Sequence, residues 1–312
     1  MKKYRSYFLL FFALLATWQA GAQNLSNRGT DFWAGFGHHQ YMETGNPNYE
    51  MVLYFSAEQA ANVTVRIEGT AWVRNYAVPA GTVIASEYMP KGVAGVDPRL
   101  ISPNCGFIPV DPCGGEGLFS NKAIHITSDV PIVAYAHIFG DDASGATMLM
   151  PVETWGHSYV TLNSRQNYAG NCYSWAYVIA QHDNTVVEIT PTQLTRAGKT
   201  ANVPFTVTLN RGQIYQFMAG PQGGGSAKPE LSGSKIKSIA NAAGECYPVA
   251  VFAGSSRTSN PISCGSGGGD NDNQQCFPTQ AWGKRYLTAP TSRSTIASAF
   301  MTNSYKIAVK DP

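Results

Sequence analysis

Charge is scarce in this chain: only 13% of its 312 residues are Asp, Glu, Lys or Arg, and past the first five residues no basic run occurs. Phosphate binding needs grouped Lys and Arg, so nucleic acid is excluded as a partner. Long apolar runs are equally rare. The longest, residues 8–18, has 11 residues, short of the ~20 that a membrane-spanning helix requires. Long helical periods are missing too. No H-E-x-x-H, no G-x-S-x-G and no C-x-x-C occurs, so there is no motif for a zincin, for a hydrolase elbow or for a zinc knuckle.

What is present begins with "MKKYRSYFLLFFALLATWQAGAQ". Lys2, Lys3 and Arg5 precede the apolar run, and Ala20-Gly21-Ala22 follows it. This pattern predicts a secretory signal peptide over 1–22, cleaved before Gln23. Its removal takes the formal charge from +2 to −1. The expected location is secreted, extracellular or on the outer cell surface, with no membrane span in this segment. Gly (31 residues), Pro, Asn and Asp supply turns, while Val, Ile, Thr and Tyr favour strands. The composition predicts an all-β protein large enough for two or three cores.

Six cysteines after a signal peptide predict disulfides. Cys105–Cys113 and Cys264–Cys276 are the local pairs, leaving Cys172–Cys246. The second local pair brackets "GSGGGDNDNQQ", which reads as a Gly-rich loop. A zinc site is the weaker alternative, because the spacing is wrong.

One phrase is written twice. "PVETWGHSYVTL" (151–162) returns as "PTQAWGKRYLTA" (278–289), with Pro151/Pro278, Trp155/Trp282, Gly156/Gly283, Tyr159/Tyr286 and Thr161/Thr288 each 127 residues apart. "NVTVRI" resembles "NTVVEI" at an offset of 122, which carries Trp33 onto Trp155; "YVIAQHDN" resembles "YKIAVKDP" at 128; and "DVPIVAYAHI" resembles "CYPVAVFAGS". Alternation with a period of two marks half-buried strands, and Asn210-Arg211-Gly212-Gln213 between "FTVTL" and "IYQFM" reads as a hairpin turn. The expected architecture is tandem β-sandwich-like repeats of about 125 residues, with β-propeller blades as the alternative. The expected boundaries are 23–150, 151–277 and a truncated third repeat at 278–312. Trp33, Trp155, Gly156, Trp282 and Gly283 are read as structural: a buried Trp caps each unit, and Gly lets the chain turn into the next.

Several phrases resemble the IgGFc-binding protein N-terminal domain family: "SNRGTDFWAGFGHHQ", "KAIHITSDVPIVAYAHIFGDDASGATMLMPVETWG", "NCYSWAYVIAQHDNTVVEITPT" and "GECYPVAVFAGSSRT". "GGGDNDNQQCFPTQAWGKRYLTAPTS" continues the likeness. The resemblance covers nearly the whole mature chain. It implies a large secreted or surface protein of the kind found in Bacteroidota, with a glycoprotein or glycan partner or immunoglobulin Fc. It implies no catalytic motif.

Candidate chemistry is sparse. His125 and His137 fall on strands that read as neighbours, and His38-His39 sits in a Gly-flanked loop where a metal or ligand role is open. Asp141-Asp142 and Asp270/Asp272 occupy equivalent places before each Trp phrase and are the candidate Ca²⁺ ligands. "AGSSRTS" has serines at a strand end, with no base nearby in sequence. Tyr173, Trp175 and Tyr177 share one strand face, either as core or as a ligand-binding surface. The expected function is non-catalytic adhesion. A structural stalk is the alternative, and a glycan hydrolase using paired carboxylates the more remote one.

Overall fold

The computed structural model describes residues 26–43, 46–101, 115–164, 166, 170–220, 229–258, 269–288 and 306–309. The expected signal peptide, Cys105, Cys113 and Cys264 lie outside them. The chain is all-β. The first half carries β1 (Gly29–Ala34), a one-turn helix α1 (Gln40–Glu43), β2 (Glu50–Ala57), β3 (Ala61–Ile67), β4 (Val73–Val78), β5 (Thr82–Ala85), β6 (Gly117–Phe119), β7 (Ile124–Phe139) and β8 (Gly145–Met148). The second half carries β9 (Ser158–Val160), β10 (Ser174–Ala180), β11 (Thr185–Thr190), β12 (Phe205–Leu209), β13 (Ile214–Met218), β14 (Lys235–Ile239), β15 (Val249–Thr258) and β16 (Asp270–Gln275).

The pairing pattern repeats. β3 pairs β4 and the first part of β7, which also pairs β1; the later part of β7 pairs β2 and β8; and β2 pairs β5. In the second half β11 pairs β12 and β14, β14 pairs β9, β15 pairs β10 and β16, and β10 pairs β13. One 16-residue strand, β7, thus does the work that β14 and β15 divide between them. Among the described residues the single addition is β6, which leaves the first half and pairs with β13.

The described residues form three sheets, of seven, five and four strands. The five-stranded sheet is covered on both faces. Trp175, Tyr177, Ile179, Ile214, Met218 and Phe252 join the core of the first half, while Ala176, Val178, Phe217, Val251 and Ala253 join Val187, Ile189 and Ile236 of the four-stranded sheet. This is why "SWAYVIA" in β10 is buried at every position, whereas "ANVTVRI" in β3 alternates between buried and open. The hydrophobic core therefore runs across position 150.

The turn at 210–213 is not a hydrogen-bonded hairpin. Its two flanking strands pair in different sheets, so the chain crosses from one layer to the other there. Gly212 takes φ +74° to make that crossing. Nor do His125 and His137 lie on adjacent strands: both are on β7. His125 stacks on Trp33 at 4.1 Å and faces Asp31 at 2.9 Å, while His137 lies further along the strand beside Phe139 and Tyr54.

The doubled phrase folds twice into one device. Pro151 and Pro278 enter a 3₁₀ turn with φ near −65°, and Trp155 and Trp282 leave it in extended backbone. The Trp Nε1 donates back to Met150 O (3.3 Å) or Phe277 O (3.1 Å). The Gly N–H donates to the Tyr hydroxyl, Gly156 to Tyr159 at 2.8 Å and Gly283 to Tyr286 at 2.7 Å. The glycine's role differs from the one expected. A Cβ on Gly156 would come within 2.6 Å of Pro278 Cβ, so the residue allows the two copies to touch rather than the chain to turn.

Candidate functional site

After β1 the chain crosses the central sheet as Gly35-Phe36-Gly37. It runs over the rings of Tyr177 and Trp175 so closely that a Cβ at Gly37 would lie 2.4 Å from the indole. Tyr177 donates to Gly35 O at 2.7 Å. Tyr173, Trp175 and Tyr177 do share a face, as alternation predicts, but it is a core face. At 8%, 1% and 0% exposure they are the bed on which the following segment rests, out of reach of a macromolecular ligand.

That segment is His38-His39, followed by α1. Both histidines are fully buried. His38 N–H donates to Gln216 Oε1 at 3.2 Å, its Nδ1 meets Ser256 Oγ at 2.6 Å, and its Nε2 lies 3.6 Å from Glu43 Oε2. His39 Nδ1 accepts from Tyr41 N–H at 3.2 Å. Burial first, then the neighbouring His38, pushes the His39 pKa down to about 3, so its ring is neutral. For Glu43, burial alone would raise the pKa; the neighbouring His38, the hydrogen bond from Asn171 and the nearby Arg196 outweigh it and hold the carboxylate below its usual range.

Arg257 closes the cluster from β15. Its Nε donates to Gly269 O at 3.0 Å, and Nη1 donates to Gln40 Oε1 at 3.3 Å and to the Tyr41 hydroxyl. Its guanidinium lies 4.8 Å from the Tyr41 ring centre, and Tyr41 stacks on Tyr49 at 4.6 Å. At the rim, Asn171 accepts from Gln40 at 3.1 Å and donates to Glu43 at 3.0 Å, the Tyr41 hydroxyl donates to Asp142 at 3.2 Å, and Arg196 lies 4.0 Å over the Tyr173 ring.

The antiparallel order of the central sheet puts the starts of β6, β10 and β16 and the ends of β13 and β15 at this one end. The cluster is therefore where the connections between those strands emerge. Loops held by a rigid sheet are the usual carriers of recognition.

Ser256, His38 and Glu43 have the order of a nucleophile, a base and a carboxylate. Sequence reasoning passed over them because Ser256 and His38 lie 218 positions apart. They do not form an accessible catalytic centre. Ser256 is fully buried, and its oxygen also accepts from Tyr173 N–H and donates to Tyr173 O, both at 3.0 Å. The hydroxyl clips β10 to β15.

The acidic residues singled out for Ca²⁺ are engaged elsewhere. Asp141 accepts from Asn48 at 2.7 Å, Asp142 from Tyr41, Asp270 from Ser144 N–H at 3.3 Å, and Asp272 from Ser164 at 2.9 Å. The segment Asp270–Gln275 is a strand paired with β15, not a loop. Among the described residues no group of three or more His, Cys, Asp or Glu gathers as a metal site.

The expected Cys172–Cys246 bridge is not formed. Ser174 pairs with Ser255 and Ala180 with Val249, so the two cysteines lie beyond opposite ends of one ladder. Cα atoms of a disulfide must come within ~7 Å, and this ladder is some three times that long. Cys246 is exposed, with its sulfur 3.3 Å from His157 Nδ1. Cys276 is a free thiol at the end of β16, whose pKa burial pushes up to about 12; its expected partner Cys264 lies outside the described residues.

The described residues form an all-β body with a polar cluster at one end of a doubly covered sheet. The chain belongs to the IgGFc binding protein family, whose model matches residues 145–311, just over half of its length. No curated protein matches it in sequence. Among solved structures, vicilin from Corylus avellana (hazelnut) is similar at 12% identity over 65% of this chain and 69% of that one, with a TM-score of 0.20, too slight for any inference.

Proposed function

We propose that this chain is a secreted or cell-surface adhesion module that binds a protein or glycan ligand and catalyses nothing. The observation that carries this is the end of the central sheet. There Tyr41, Arg196, Asn171 and Glu43 form a partly open rim around the buried Arg257, over a rigid, fully packed bed. Family membership supports it. Tyr and Arg beside a preorganised surface are the residue types that dominate binding energy. Immunoglobulin Fc and mucin-type glycoproteins are the partners to test.

The test is binding of the mature chain to immobilised IgG Fc and to mucin, with Ca²⁺ and with EDTA. Saturable binding is expected, weakened about tenfold or more by Tyr41→Ala or Arg196→Ala. Loss of binding in EDTA would bring calcium into the site; binding unchanged by EDTA would remove it. A chain that binds neither surface would leave the second reading, a structural stalk. One observation favours that reading: the second copy of the Trp phrase leaves Tyr286 71% and Leu287 90% exposed, where the first copy buries Tyr159.

A further inference from the structure

The outer face of the seven-stranded sheet carries a row of aromatic rings. Tyr54 on β2 and Tyr135 on β7 are directly paired, and so are Val52 and His137. Their inward neighbours Leu53, Phe55, Ala134 and Ala136 are core, so these side chains lie on the other face, where Val52 is covered at 1% exposure and the rings are more open. His137 lies 5.1 Å from Phe139 and 6.0 Å from Tyr54, and Tyr88 lies 5.8 Å from Phe139. Tyr88 is 58% and Tyr135 38% exposed.

Beside this row the sheet ends in β8, where Met148 pairs with Tyr135 and Ala146 with His137. A groove of about 270 Å³ lies there, between β8 and β16, lined by Met148, Asn273, Gln274 and Phe277 among others. Asn273 is 6% exposed, yet neither Nδ2 nor Oδ1 has a hydrogen-bond partner. A buried amide with both ends unmatched costs free energy unless something supplies a donor and an acceptor.

We propose that this aromatic row and the Asn273 groove together bind a neutral glycan chain. A sugar ring presents apolar C–H groups on its faces and hydroxyls around its edge. The first suit the open rings of Tyr135 and Tyr88 and the half-buried rings of Tyr54, His137 and Phe139 between them; the second suit a primary amide, which donates and accepts at once. The row carries no net charge. Partial burial lowers the His137 pKa, which keeps the ring neutral near pH 7. Its flanking Glu50 is paired with Lys91 at 3.2 Å, and Glu87 is paired with Arg74. The one carboxylate lining the groove, Asp272, accepts from Ser164 at 2.9 Å and would repel an anion, so the surface favours an uncharged sugar over a sulfated or sialylated one. The proposal rests on the reading of the chain as a binding module but engages a different face from the Tyr41–Arg196 rim.

The test is calorimetric titration of the mature chain with cellohexaose, mannohexaose and chitohexaose, and with heparin as the anionic comparison. Saturable binding to at least one neutral hexasaccharide is expected. Tyr135→Ala and Tyr88→Ala, both at open positions, should each weaken it about three- to tenfold with an unchanged melting temperature, and Asn273→Ala should weaken it too. Arg196→Ala should leave it unchanged. No binding to any of the three, a preference for heparin, or full affinity in Tyr135→Ala would overturn the proposal. Hexasaccharide binding without Fc or mucin binding would refute only the choice of partner made for the rim.

Discussion

Replacing Tyr159 and Tyr286 in turn by Phe compares one device in two settings. In the first copy the Tyr159 hydroxyl accepts from Gly156 N–H at 2.8 Å and donates to Val249 O at 2.6 Å, at 1% exposure. Tyr159→Phe removes both bonds and leaves two buried backbone groups without those partners. Each lost bond removes about 1 kcal/mol, and an unsatisfied buried group costs up to about 3. Gly156 O still accepts from Val249 N–H at 3.1 Å, so the strands stay joined. The net loss is about 2–4 kcal/mol. In the second copy Tyr286 makes the same bond to Gly283 at 2.7 Å but stands 71% exposed. Water replaces what Tyr286→Phe removes, and the loss stays below about 0.5 kcal/mol. Urea unfolding followed by tryptophan fluorescence measures both. Thermal unfolding should show about 5–10 °C for Tyr159→Phe and under about 2 °C for Tyr286→Phe. Equal losses, or a loss below about 0.5 kcal/mol for Tyr159→Phe, would refute the idea that burial of the phrase, rather than the phrase itself, supplies its stability.

Two further outcomes follow from burial. His39 has a folded pKa near 3 against 6.5 unfolded; a lowered histidine pKa means that the unfolded chain takes up the proton first. Stability should therefore fall as pH drops below about 6.5, by up to about 1.4 kcal/mol per unit until pH nears 3, and His39→Gln should flatten that slope in urea titrations across pH 4–7. Cys246, exposed beside His157, should react with a maleimide in the native chain, whereas Cys276, half-buried with its pKa pushed up to about 12, should react far more slowly until the chain unfolds, as mass spectrometry of labelled peptides would show.

Much of the fold was legible in the sequence. Alternation in "NVTVRI" and "NTVVEI" marked strands, and the doubled phrase marked a repeat that the strand pairing reproduces. What periodicity cannot report is what covers a face. It placed Tyr173, Trp175 and Tyr177 together correctly, but not the segment Gly35–Gly37 that lies on top of them. "DNDNQQ" read as a loop because Asp and Asn favour turns; pairing with β15 overrode that preference. The two strands of "VTLNRGQIY" read as a hairpin because adjacency in sequence says nothing of layer. The polar cluster was illegible for a simpler reason: His38 and Ser256 meet only because β1 leads the chain across β10 to the end of β15. The one local signal was the pair His38-His39 flanked by glycines.

β6 also sets an order in time. Its three residues lie in the first half of the chain, yet their partners Ile214, Tyr215 and Gln216 lie about a hundred positions later. Trp33 and Phe36 likewise join a cluster completed by Ile214 and Phe252. A growing chain would hold β6 open for roughly five to twenty seconds, and Trp33 and Phe36 for roughly ten to forty, before their cover exists, and refolding must close the same long loops before it gains the contacts. The first half therefore cannot finish early. This molecule should fold slowly and as one cooperative body, with its central sheet as the last part to close.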